Sequence, residues 1–355
     1  MLEAERTLPR TYDFACTITG AAGFVGGQLA RALMQQEQYR VRVFGVDLAP
    51  SDLTHGLETA IDNGNRFTFH EYDVHQPLRS DFLAVDAVYH FAGIADPKRY
   101  LEETIEVLNL NLLGLINILE RIVVWSAHRP RIIYSSTSEV YGKNPHVPFH
   151  EDESDLVFGP VKNTRWCYAM SKAVAEHYLA AYSARYDVRH TVFRFFNFVG
   201  PGIDKPGAGR VLTKMTGDAI EQGTIYVSAP GGQTRCFTHS RDFVVPLMGA
   251  MFMKKTDPDL WKRDFTMNLG STIELSMVDV AEIVQSEVLK RTGKRPEIRW
   301  IAGVDLFGHG YEDVERRVPD TSRARKVFGW EAKEDPMQFI PELVQLIMDE
   351  LGVAP

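Results

Sequence analysis

Three polar side chains in a row, Thr137, Ser138 and Glu139, follow the apolar run Arg131 to Ser136. That run is β-branched and aromatic and ends abruptly in hydroxyls, which predicts a short buried strand. In an open parallel sheet, ligands lie just beyond the carboxyl ends of the strands. A strand ending in Thr-Ser-Glu therefore offers a substrate two hydroxyls and a carboxylate; the plainer reading is that they satisfy loop backbone groups. Further on, Tyr168 and Lys172 stand four apart, on one face of a helix. An ammonium near a phenol favours the phenolate and lowers its pKa, so the pair can accept a proton near neutral pH. Hydroxyl, phenol and amine are the parts needed to take a proton from an alcohol while hydride leaves its carbon.

The elements that must position these groups alternate along the chain. Phe14 to Thr19 reads as a buried strand, followed by Gly20, Gly23 and Gly26 and a helix to about Gln36. Glycines so spaced allow a tight turn and close approach of a pyrophosphate, which would rest on the helix N-terminus. Val41 to Val46 is the second strand and ends in Asp47, whose carboxylate suits an adenosine ribose and repels a 2′-phosphate, favouring NAD over NADP. Phe67 to Tyr72 is the third, closed by Asp73 and Val74, where a carboxylate could meet the adenine amino group. Ala87 to Phe91 is the fourth; Ala92 and Gly93 after it are small enough for a cofactor to pass. Leu101 to Val124 is apolar and helical, with Asn109, Asn111 and Asn117 interspersed. Strand and helix in alternation predict a doubly wound parallel α/β (Rossmann) sheet.

Lys143 to Thr164 is polar, contains proline and is long for a connection, so it is a candidate substrate loop. After the strand His190 to Phe195 come Asn197 and Gly200-Pro201, and the pattern loosens. The expected organisation is a flexible tail over 1–13, an NAD-binding domain over 14–196, and a smaller α/β substrate domain over 197–355, with elements interleaved. Arg210, Arg235 and Arg241 in the last part suit phosphate contacts. Helices are expected at Leu212 to Glu221, Phe243 to Met253, Met277 to Arg291 and Met337 to Leu351, and the charged run His309 to Arg317 reads as a solvated face.

A net charge of -8 argues against a nucleic-acid coat or an anionic membrane surface as partner. Cys16, Cys167 and Cys236 are too far apart for a zinc motif or a disulfide framework, and no metal is expected. Met1 to Asp13 lacks the apolar core of a secretory signal, and no run reads as long enough to span a bilayer, so a cytoplasmic protein is expected.

Taken together, GxxGxxG, Asp47, Ser-Ser-Thr before Tyr-Gly, YxxxK and Arg-x-x-Asn-x-x-Gly-Pro resemble the extended short-chain dehydrogenase/reductase family of nucleotide-sugar enzymes, from about Phe14 to Leu351. Ser-Thr-Ser-Glu-Val-Tyr-Gly at 136–142 is similar to UDP-glucuronic acid decarboxylases. Phe158 to Val161, Arg165-Trp166, Arg235 to Thr238 and Gly310 to Pro319 are most similar to the decarboxylase domain of the bacterial 4-amino-arabinose (polymyxin resistance) pathway; UDP-xylose synthases are also similar.

That resemblance implies NAD as cofactor, a UDP-sugar as substrate, and oxidative decarboxylation through a 4-ketone to a UDP-4-keto-pentose or UDP-xylose. It implies that Tyr168, Lys172 and Thr137 deprotonate the 4-hydroxyl, that Arg317 assists decarboxylation or reprotonation, and that Ser138 and Glu139 hold the sugar end or a water. Phe24, Val25 and Asn111 join the cofactor site. Asn197, Arg210 and Arg235 would hold the diphosphate, and Pro97, Tyr100, Arg165 and Tyr311 the sugar. It also implies a homodimer through the Leu101–Val124 and Tyr168 helices. The chain departs from the pattern at Tyr226, a lysine in the family, at Ser228 to Gly232, which lacks the usual Gly-Asp pair, and at Gly93, more usually alanine. Rival readings are a 4,6-dehydratase, whose acid would fall at Ser138, a 4-epimerase, and a non-catalytic NAD-binding module.

Overall fold

In the computed structural model, which describes residues 12–57, 66–125, 129–203, 206 and 210–354, the alternation becomes one seven-stranded sheet. On one side lie β1 (Phe14–Thr19), β2 (Val41–Asp47) and β3 (Phe67–Glu71), and on the other β4 (Ala87–His90), β5 (Arg131–Thr137), β6 (His190–Phe195) and β11 (Phe265–Leu269). The order is β11-β6-β5-β4-β1-β2-β3, with every pairing parallel. Helices cover both faces, which is why β5 is apolar on both sides until its hydroxyls. On one face Leu29 and Leu33 of α1 (Phe24–Gln35) pack with Cys16, Ile18 and Val43. On the other, Leu115, Leu119 and Leu179 pack with Val88, Ile132 and Val192.

The apolar stretch read as one helix is two. Asp96 caps α2 (Pro97–Glu102), with Pro97 in its first turn, and Glu103 leaves helical geometry at φ −126°, ψ 45° before α3 (Thr104–Trp125). Thr104–Val124 is, by length and a hydropathy of 1.7, apolar enough to cross a membrane, contrary to the expectation that no run was. Its own contacts explain that composition: Leu115, Ile118, Leu119 and Ile122 are fully buried under the sheet, and Asn117 donates to the carbonyls of Val74 and His75.

The next helix is α4 (Trp166–Tyr186). After β6 the chain builds a smaller layer. Here β7 (Phe198–Val199) pairs with β10 (Thr238–His239), β8 (Thr224–Ser228) with β13 (Glu297–Ile301), and β9 (Thr234–Cys236) with β12 (Glu274–Ser276). Its core joins Leu212 of α5 (Val211–Gln222), Val284 of α7 (Met277–Thr292) and Val344 of α8 (Pro336–Glu350). Between these pieces α6 (Ser240–Thr256) and β11 return to complete the large sheet, so the two layers are interleaved in sequence. Of the expected tail, residues 1–11 lie outside the described residues; Asp13 is already anchored, its N–H donating to the Arg40 carbonyl at 2.7 Å. The order of strands reverses between β1 and β4, and the crevice there lies at the carboxyl ends of the strands.

Candidate active site

A cavity of about 820 Å³ opens along that edge between the two layers. Its walls bring together Thr137, Ser138, Glu139, Tyr168 and Lys172, and also Arg165 and Arg317. Val25, Gly93, Pro97, Tyr100, Asn197, Arg210, Arg235 and Tyr311 line it too, as do Tyr226 and Ser228. Gly20, Gly23, Phe24, Gly26, Asp47, Asp73, Val74, Ala92 and Asn111 do not line it.

The glycine loop sits at the ends of β1 and β2. A Cβ on Gly26 would stand 2.2 Å from the Gly20 carbonyl oxygen, and one on Gly20, whose φ is +73°, 2.6 Å from the Ala92 nitrogen. Only glycine allows the loop, helix and β4 end to approach so closely. Gly23 is the N-cap of α1 and no side chain caps that helix, leaving its first N–H groups for an anion. The Asp47 carboxylate accepts from the N–H of Ala22 at 2.9 Å and of Leu48 at 2.8 Å, fixing it against the loop. These features fit a dinucleotide. Phe24 packs edge-on against Phe243 at 5.9 Å, Val74 is buried in the core, and Asp73 closes its own turn by accepting from the His75 N–H at 2.9 Å.

Thr137 is the last residue of β5 and caps the turn Ser138–Tyr141, its hydroxyl accepting from the Glu139 N–H at 3.2 Å. Lys172 Nζ donates to the Ser135 carbonyl at 2.8 Å and stands 4.7 Å from the Tyr134 ring; burial lowers its pKa to about 7. Tyr168 stacks on Tyr100 with ring centroids 4.5 Å apart and planes 6° from parallel. Contrary to the sequence expectation, the phenol of Tyr168 is pushed up rather than down. Burial is the main cause and the charge of Glu139 adds to it, while hydrogen bonding from Thr137 and Tyr100 only partly offsets them. Asn111, fully buried, accepts from the Ile94 N–H at 3.1 Å and donates to Ser171 Oγ at 3.2 Å. A Cβ on Gly93 would stand 2.6 Å from Asn111 Oδ1, so a larger residue there would require the Asn111 amide to shift.

At the far side of Thr137, Glu139 lies between two guanidiniums, Arg165 at 3.1 Å and Arg317 at 3.3 Å. Burial alone would raise its pKa, but Arg165 and Arg317 outweigh burial and hold the carboxyl below its usual range. Arg235 completes the cluster, donating to Asp313 at 2.6 Å and to the Val314 carbonyl at 2.8 Å. Burial, with Arg317 nearby, lowers its pKa to about 10. Arg317 Nε and Asn197 Nδ2 are buried without a hydrogen-bond partner among the described residues. Arg210, the N-cap of α5, donates to the Phe198 carbonyl. Arg241 is exposed and faces Glu334 at 3.7 Å, away from the cavity.

The run His309 to Arg317 is not the solvated face its charge suggested. Arg317 is buried, Asp313 holds Arg235, and Glu312 accepts from Lys143 at 2.7 Å and from Asn163 and Trp166 at 2.8 Å each. Sequence reading also passed over Glu176, one helical turn past Lys172. It forms a buried ion pair with Arg194 at 2.6 Å and accepts from Ser136 Oγ at 2.5 Å. The only signal for either was charge density, which solvated surfaces share.

Residues 16–259 match the NAD dependent epimerase/dehydratase family, and the chain belongs to that family. Among solved structures it is similar to the PbgP3 protein of Burkholderia pseudomallei, at 22% identity and TM-score 0.76, covering 96% of this chain and 99% of that one. UDP-glucuronic acid 4-epimerase of Bacillus cereus, in complex with UDP-glucuronic acid and NAD, is similar at 22% identity and TM-score 0.73, covering 95% and 99%. A dTDP-glucose 4,6-dehydratase of Bacillus anthracis, in complex with NAD, follows at 19% identity and TM-score 0.72, covering 95% and 97%. These likenesses bear on the fold; the dependence on NAD comes from the family.

Proposed function

We propose that this enzyme decarboxylates a UDP-uronic acid, UDP-glucuronate foremost, through a 4-ketone, giving a UDP-4-keto-pentose or UDP-xylose. The observation that carries this reading is the charge at the sugar end. Arg165 and Arg317 flank Glu139 in the cavity, and Arg317 Nε has no hydrogen-bond partner among the described residues. A substrate carboxylate gains charge-assisted hydrogen bonds there that a neutral hydroxymethyl group cannot.

In this reading Tyr168, assisted by Lys172 and Thr137, takes the proton of the sugar 4-hydroxyl. Bound NAD supplies the acceptor for the hydride from C4 and a cationic ring that favours the phenolate. Because the resulting ketone is β to the C6 carboxylate, the C5–C6 bond can break, with its electron pair delocalised as an enolate while CO₂ departs. Arg317 stabilises the developing charge, and Ser138 and Glu139 hold the sugar end or the water from which C5 regains its proton. Gly20, Gly23, Gly26 and Asp47 hold the dinucleotide, with Ala92 and Gly93 leaving it room. Asn197, Arg210 and Arg235 hold the diphosphate; Pro97, Tyr100, Arg165 and Tyr311 bound the sugar.

Ser138, where a dehydratase places its acid, is a poor proton donor to a leaving hydroxyl, which disfavours elimination. A uronate 4-epimerase has the same charge requirement and is the second reading. Incubation with UDP-glucuronate and NAD, followed by chromatography of the nucleotide products, separates them. A pentose product is expected, and UDP-galacturonate would replace this reading with the epimerase.

A homodimer is part of the same proposal. On α3 the side chains Ile105, Leu113 and Val124, and on α4 Met170, Val174 and Tyr178, are exposed, an apolar face that a second copy would cover.

A further inference from the structure

The segment 311–317 lines the cavity, supplies partners for two of its four arginines, Arg165 and Arg235, and contributes a third, Arg317. The Glu312 carbonyl accepts from Arg165 Nη1 at 2.7 Å, Asp313 holds Arg235, and Arg317 itself ends the segment. What fixes the segment is the Glu312 side chain. Its Oε1 accepts from Lys143 Nζ at 2.7 Å, and its Oε2 from Asn163 Nδ2 and Trp166 Nε1, both at 2.8 Å. Two donors from the 143–163 loop and one from the first residue of α4 thus converge on one carboxylate, and the fit is tight. A Cβ added to Gly159 would lie 2.3 Å from Glu312 Oε2 and 2.2 Å from Trp166 Nε1. Trp166 in turn lies beneath the Arg165 guanidinium, 4.4 Å from its ring centroid.

We propose that Glu312 is a positioning residue for the sugar end of the site: its carboxylate locks the 143–166 loop onto the 311–317 segment and so fixes Arg165 against Glu139. Glu312 need not touch the substrate to do this. Arg165, 7% exposed, is oriented by the Glu312 carbonyl, the Trp166 ring and Glu139 together, and Glu312 is covalently or directly bonded to two of those three. Burial opposes ionisation of Glu312, but donation from Lys143, Trp166 and Asn163 prevails and keeps its pKa at about 2. At the nucleotide end Arg210, Tyr226 and Ser228 receive nothing from Glu312, and Arg235 is held by Asp313 and the Val314 carbonyl directly, so UDP binding should depend on Glu312 far less than sugar binding does.

The inference rests on the preceding proposal only in placing a sugar at Arg165, and Glu312→Gln in the full chain tests it. An amide offers one acceptor oxygen and turns an N–H₂ toward donors, so the three bonds cannot all survive. With NAD present, the Kd for UDP-glucuronate is expected to rise roughly tenfold while that for UDP stays within about twofold. Hydrogen exchange without ligand should rise over 158–166 and 311–314 and nowhere else. Equal weakening of both nucleotides would show general loosening and overturn the proposal, as would unchanged exchange in the two segments. If the native chain binds UDP-glucuronate no better than UDP, the uronate reading fails while the exchange result still decides the lock. Should Glu312→Gln fold poorly, Asn163→Ala removes a single donor and must shift the same ratio in the same direction; an unchanged ratio overturns the lock.

Discussion

At the scale of single residues, the site is a contest between burial and charge. Tyr168 sits where burial and Glu139 both oppose its ionisation, so the phenol is the group whose loss should matter most. Tyr168→Phe is expected to slow turnover by about 10²–10⁴-fold with NAD affinity retained, which rapid-quench assays and a fluorescence titration measure together. Because the Glu139 charge raises the Tyr168 pKa, Glu139→Gln removes a raising influence and leaves Arg165 and Arg317 less neutralised. The rising limb of kcat/KM against pH should therefore move to lower pH, by up to about one unit; a shift to higher pH would show that Glu139 acts otherwise. Thr137, Tyr168 and Lys172 were legible in the sequence because their spacing on a strand end and a helix face dictates where they point. Glu312 and Asp313 were not, because an acidic run reads the same whether solvent or arginines face it, and their partners lie far away in the chain.

Among the elements, the turn from β1 into α1 is the least forgiving. Gly26→Ala would place a methyl 2.2 Å from the Gly20 carbonyl oxygen, forcing the loop off the helix N-terminus. NAD affinity is expected to fall more than about tenfold, measured by titration, while the far-UV circular dichroism stays that of the folded protein. The strand pattern was readable because parallel strands buried on both faces are continuous apolar runs closed by Gly, Asp or Ser. The break at Glu103 was not, since no glycine or proline marks it in Leu101 to Val124; in the fold the short helix before it sets the Tyr100 ring on Tyr168. The same helix is long and apolar enough to cross a membrane, against the expectation; folded, its Asn111 and Asn117 are satisfied inside the protein.

Across the whole molecule, the cavity exists because two layers interleaved in sequence meet at the carboxyl edge of one sheet. The pattern loosens after Phe195, and nothing local reveals that α6 and β11 return to the large sheet; that is decided by long-range burial of Phe243, Leu247 and Met267. The exposed apolar side chains of α3 and α4 predict a dimer in sedimentation velocity and a monomer for Val174→Asp, with a monomeric native chain counting against the shared helix face.

The central claim concerns a carbon–carbon bond, and the most direct measurement follows that carbon. With UDP-glucuronate labelled at C6, NAD and the full chain, the label should appear as CO₂ in step with loss of substrate, and Tyr168→Phe should abolish its release. Substrate consumed with the label still on the sugar would contradict decarboxylation and leave an NAD-dependent enzyme that remodels its sugar without shortening it.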